Sequence, residues 1–98
     1  MSGGIREVDP AELRLPPSRE AGADSWKMHW QIRQFGSSKQ GMPPLFVYED
    51  PDGLFEIFDG VTRASRIAKL APGETVPILV IGTFRQSRKG SRKLKDTL

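Results

Sequence analysis

The 98 residues carry fifteen Lys and Arg against twelve Asp and Glu, a formal net charge of +3, with one His and no cysteine. The missing cysteines exclude disulfides, Cys-ligated zinc, iron–sulfur clusters and thiol nucleophiles, and a single His excludes a multi-His metal site within one chain. No apolar run approaches the roughly 18 residues a membrane span needs, and Met1-Ser2-Gly3-Gly4 lacks a signal peptide's apolar stretch. The expectation is one small domain with a modest core, soluble and cytoplasmic.

The charge is uneven. Residues 85–98 hold six basic groups against one acidic group, a net +5, which leaves the other 84 residues at −2. The sequence pI of 9.6 is therefore set by the C-terminal segment.

Residues 1–4 are expected to be flexible. Ile5–Val8 suits a short first strand. Asp9-Pro10-Ala11-Glu12-Leu13 reads as an N-capped turn, with Asp as cap and Pro at the first helical position. Leu15-Pro16-Pro17-Ser18-Arg19 is an extended loop, because each Pro lacks an N–H and restricts the residue before it. Ser25 is placed to cap a helix over about 26–35. On this helix Met28, Ile32 and Phe35 share one side, while Trp26 and Trp30 share another.

Leu45–Glu49 and Leu54–Phe58 are aromatic-rich, β-branched runs. Asp50-Pro51-Asp52-Gly53 joins them as a turn, so the pair is a β-hairpin. Val61–Ala71 reads as a helix with an apolar stripe at Val61, Ala64, Ile67, Ala68 and Ala71, ended by Pro72-Gly73. Val76–Ile81 is a continuous apolar run, as expected of a strand buried on both faces. The predicted fold is α+β: a mixed sheet with a hairpin, then a helix and a buried strand, over residues 5–83, followed by a basic tail over 84–98.

The strongest site candidate is the strand–turn–helix around Asp59-Gly60. A helix N-terminus leaves backbone amides unpaired and carries the positive end of the helix dipole, and both favour an anion. Gly60 permits close approach to the backbone. Arg63 and Arg66, three residues apart, are neighbours on the helix surface and are placed to clamp a phosphate. Against this, Asp59 is itself a good N-cap whose carboxylate would occupy the same amides.

Several segments together resemble the ParB/sulfiredoxin-like superfamily. They are Val8–Leu13, Pro17-Ser18-Arg19, Met42-Pro43-Pro44-Leu45-Phe46-Val47, Phe55–Ala64, and Ala68-Lys69-Leu70 with Val76–Val80. The resemblance covers Val8 to Ile81. It implies a ParB-like domain with a phosphate-binding site at Gly60 and Arg63, with Thr62 and Arg66 beside them and Arg19 in the proline–arginine loop. The implied ligand is a nucleotide or nucleic acid, accompanied by Mg2+ if the site is catalytic. Two departures narrow this. Partition ParB proteins carry G-E-R-R where this chain has Gly60-Val61-Thr62-Arg63, which counts against nucleotide hydrolysis. Sulfiredoxins need a Cys in the same element, and this chain has none.

Other residues carry weaker signals. Asp59 and Glu56 are the carboxylates nearest the site, and His29 is a third candidate for acid–base work in a small nuclease or phosphotransferase. Asp50 and Asp52 are more simply turn formers than metal ligands. Trp26 and Trp30 are expected to pack on the hairpin as core, because a small domain needs large apolar residues. The alternative is a stacking patch, or a docking surface for a partner protein. Arg85, Arg88, Lys89, Arg92, Lys93 and Lys95 form a tail with almost nothing apolar. It should be disordered or a frayed helix, serving either to bind nucleic-acid phosphate or only as a solubilising end or a linker.

Overall fold

A computed structural model describes residues 4–98; the expected flexible stretch at the start of the chain lies, but for Gly4, outside the described residues. Four strands, β1 (Ile5–Val8), β2 (Leu45–Glu49), β3 (Phe55–Asp59) and β4 (Val76–Thr83), form one mixed sheet in the order β1-β4-β2-β3. β4 pairs antiparallel with β1 and parallel with β2, and β2 pairs antiparallel with β3. Two helices, α1 (Ser25–Phe35) and α2 (Val61–Leu70), complete the α+β domain. Among the described residues no helix is long and apolar enough to cross a membrane.

The turn between β2 and β3 forms for the reason its sequence suggests. Asp50 Oδ1 accepts from the amides of Asp52 (2.9 Å) and Leu54 (2.8 Å). The Asp9 cap also holds, accepting from the amide of Ala11 at 3.0 Å. The loop at Pro16 is less extended than expected, because Pro17–Arg19 closes one 3-10 turn. The cap of α1 is Asp24 rather than Ser25: its Oδ1 accepts from the amides of Trp26 and Lys27 at 3.0 and 3.1 Å.

The core lies between one face of the sheet and α2. Leu45, Val47, Ile57, Val76, Ile78 and Val80 meet Val61, Ala64, Ile67 and Ala68, and Leu13, Leu15 and Leu94 close it. Burying a side chain such as Ile67 contributes about 1.5–3 kcal/mol. β4 is not buried on both faces. Its residues alternate, with Val76, Ile78 and Val80 inside and Ile81 exposed, because the pleat sends alternate side chains to opposite faces and the core lies on one of them.

The C-terminal segment differs most from expectation: it is neither disordered nor detached. Leu94 is fully buried in the core. The segment 13–15 inserts between β3 and the C-terminal chain, with Arg14 bridging Glu56 on one side and Lys93 on the other. The amide of Leu15 donates to Arg92 O (2.9 Å) and that of Leu94 to Leu13 O (2.8 Å). Gly22 touches Thr97 so closely that a Cβ would stand 2.6 Å from its Oγ1. One apolar side chain and a short ladder of backbone bonds anchor a segment whose composition alone predicts disorder.

Candidate functional site

β3 runs out into α2 through Gly60, the N-cap of the helix, at φ 116°. Only glycine adopts that conformation readily, and a Cβ there would also stand 2.4 Å from Leu45 Cδ2. No side chain caps α2. Asp59 turns aside instead, 3.5 Å from the Arg63 guanidinium and largely exposed. The first-turn amides of α2 are therefore free of the carboxylate that competes for them in the sequence reading.

These amides open into a cleft of about 590 Å³ between the loop at Pro16–Arg19, the start of α1, the ends of β2 and β3, and the C-terminal segment. That volume is in the range of small-molecule sites. Gly60, Val61, Thr62 and Arg63 form one end. Tyr48, Phe58 and Phe84 form an aromatic wall: Tyr48 meets Phe58 edge-on at 5.7 Å and Phe84 at a tilt at 5.0 Å. Arg19, Lys27, Arg63 and Arg88 bring positive charge, and Asp24, Glu56 and Asp59 bring carboxylates.

The carboxylates are already engaged. Asp24 caps α1, Asp59 pairs with Arg63, and Glu56 lies 3.2 Å from Arg88 Nε. Among the described residues Arg19 and Lys27 make no ion pair, so they are the cations left for an incoming anion.

Glu56 is the unusual group. It is only 5% exposed, yet its Oε1 accepts no hydrogen bond, and Arg88 Nε donates none. The two attract as charges, but the N–H does not point along the contact. Burial pushes the Glu56 carboxyl above the usual carboxylate range, and the charge of Arg88 only partly offsets this. A buried acceptor without a donor, facing a cleft, marks a place where a ligand group or a water completes the bonding.

The structure separates the sequence-predicted residues. Gly60, Thr62, Arg63, Arg19, Asp59 and Glu56 come together around the cleft. Arg66 does not. It is 2% exposed, donates to Gly36 O and Ser38 O at 2.8 and 2.7 Å, and lies over the Phe35 ring at 5.2 Å. It thus closes the C-terminal end of α1, where a cation is favoured, and is not a second phosphate clamp. Arg63 is itself partly committed, donating to Pro43 O at 2.9 Å. His29 sits exposed on α1 and does not line the cleft. Among the described residues no three His, Cys, Asp or Glu side chains gather as a metal site would require.

The tail residues also divide. Arg88 reaches back into the cleft, its guanidinium 4.2 Å from the Phe84 ring centre and its amide 2.6 Å from Asp50 Oδ2. Arg92 donates to Glu20 O and Asp96 O, and Lys93 and Lys95 both bind Glu12. Of the six predicted nucleic-acid contacts only Arg85 and Lys89 remain exposed cations without such ties. Sequence reasoning missed Lys27 and the aromatic wall, since no spacing links Tyr48, Phe58 and Phe84. The Asp-Gly step that announces Gly60 was the one usable signal.

A small α+β domain with an uncapped helix N-terminus opening into a charged, aromatic-walled cleft is the class of protein defined here. Comparison with solved structures gives the relationship. The chain is similar to the C-terminally truncated chromosome-partitioning protein ParB from Caulobacter crescentus complexed with CTP-γ-S, with a TM-score of 0.54 and 25% sequence identity over 96% of this chain. The match spans 49% of that protein, so the chain corresponds to about half its length. In fold this chain resembles a ParB-like domain. No family model matches it, and no curated protein matches it significantly.

Proposed function

We propose that the cleft binds a nucleotide, with its phosphates on the first-turn amides of α2 and its base toward the aromatic wall. The observation that carries this reading is the open α2 N-terminus: Gly60 supplies the backbone turn while Asp59 is held aside by Arg63. Glu56 Oε1 and Arg88 Nε, which face each other at 3.2 Å in the same cleft without a hydrogen bond, support it independently. So does the nucleotide analogue bound by the similar ParB structure. Arg19 and Lys27 would supply the remaining charge, and Arg63 would exchange Asp59 for phosphate. Any Mg2+ would rely mainly on the nucleotide's own oxygens.

A nucleotide ligand favours action in the cytoplasm, and association with DNA fits the relationship to a partition protein. Isothermal titration of CTP, ATP and GTP into the wild-type chain and Arg63→Ala tests the reading. Saturable binding weakened about tenfold or more by Arg63→Ala is the expected outcome, as for loss of a charge-assisted contact. Equally weak binding by both proteins would overturn it. A second reading, slow phosphate-ester hydrolysis, is favoured only by Glu56, whose raised pKa suits general-acid work. Turnover abolished by Glu56→Gln is its signature.

A further inference from the structure

Trp26 and Trp30 are not core: they are 68% and 48% exposed on α1. Their rings form an ordered array with their neighbours. The His29 ring lies nearly parallel to Trp26, 6.1 Å away at 19°, and Trp30 stands edge-on to Trp26 at 6.3 Å. The Arg33 guanidinium sits 5.8 Å from the Trp30 ring centre. Between Ser25 and Phe35 the helix carries Lys27 and Arg33 and no acidic residue. A groove of about 330 Å³, lined by Lys27, Trp30, Gln31, Gln34 and Thr62, runs from this face to the first turn of α2. Gln31 Oε1 lies at that groove, buried and without a hydrogen-bond donor.

We propose that this face of α1 binds single-stranded nucleic acid, with bases stacking on Trp26 and Trp30 and phosphates meeting Lys27 and Arg33. Exposed indoles flanked by cations suit a ligand that is both aromatic and polyanionic. Unstacked bases present the flat faces that the rings require, which a duplex keeps inside its stack. The amide-lined groove beside Trp30 offers a donor and an acceptor to a base edge. Neither tryptophan lines the cleft assigned to the nucleotide, although Lys27, Gln31 and Thr62 border both, so the tryptophan variant is the one that separates the two readings.

Tryptophan emission of the full chain, titrated with short oligothymidylate and oligouridylate, tests it. Saturable quenching is expected, with log K falling against log salt by about 0.7 for each phosphate engaged. Trp26→Ala with Trp30→Ala, whose exposed positions leave the core intact, should keep the circular-dichroism spectrum and CTP affinity of the wild type. By fluorescence anisotropy of labelled oligomer it should bind at least about tenfold more weakly. Lys27→Ala with Arg33→Ala should reduce the salt slope. The proposal is overturned if neither oligomer quenches, if the tryptophan variant binds as well as wild type, if duplex DNA competes equally, or if the emission change follows protein concentration alone, as self-association would. Quenching without CTP binding would sink the nucleotide reading and keep this one.

Discussion

The two helices of this domain are held in opposite ways. α2 buries six of its ten residues and has no side-chain cap. α1 buries none of its eleven and is capped at both ends, by Asp24 at its start and by the guanidinium of Arg66 at its finish. Packing is what fixes α2, so its N-terminal amides can stay unpaired and available. α1 depends on its ends, and this leaves its tryptophan face free. In each helix the surface not used for stability is the one with chemistry to offer.

Substitutions can break this contrast, beginning with the core of α2. Ile67→Ala, at a fully buried position, should cost about 2–5 kcal/mol in urea denaturation, whereas Trp30→Ala should cost far less because half its surface is already in water. Parity between the two would mean that α1 is anchored by its aromatic face after all. Gly60→Ala comes next. The left-handed backbone and the contact with Leu45 should together cost about 1–3 kcal/mol, and CTP affinity should fall with the displaced amides. A variant as stable as wild type would show that the turn needs no glycine.

Asp24→Ala should cost about 1 kcal/mol, the usual loss for an N-cap, read from the urea midpoint and the loss of helical circular dichroism. The smallest effect concerns pH. The raised Glu56 pKa means the folded chain holds that proton more tightly than the unfolded chain does. Glu56 therefore subtracts stability as pH rises from the ordinary glutamate value of 4.5 through its raised folded value. Glu56→Gln should remove this slope. Asp50 and Glu12 act in the opposite sense at lower pH. Burial alone would raise Asp50, but the amides of Arg88, Leu54 and Asp52 outweigh it. Lys93 and Lys95 hold Glu12 down. Both carboxylates lose stabilisation as pH falls below the usual carboxylate range. Urea midpoints measured across this pH range separate the two behaviours.

The hairpin, α2 and the Asp59-Gly60 step could be read from sequence because their causes are local. Asp50 and Gly53 make their turn from adjacent residues, and the stripe of α2 repeats with the helix period. The errors share a different origin. Val76–Ile81 looks doubly buried because apolar content says nothing of whether a second layer exists. Arg63 and Arg66 look like a pair because spacing gives neighbourhood on a helix but not the direction of a long side chain, and Arg66 found the carbonyls at the end of α1. The tryptophans look like core by size, yet their side of α1 faces solvent.

The sequence by itself determined the order of elements, the ParB-like resemblance and the glycine that opens α2, each carried by signals that are local in the chain. Tertiary structure alone decided that Asp59 turns from the α2 amides toward Arg63, that Glu56 is buried beside Arg88, and that the basic segment is part of the fold. Each of these depends on a partner distant in the chain: Pro43 and Leu45 for the Gly60 turn, residue 88 for Glu56, and the core that receives Leu94. The net charge of +3 thus describes little of the working molecule. Much of the basic C-terminus is bound to the body, and the cations of the cleft without an ion pair are Arg19 and Lys27.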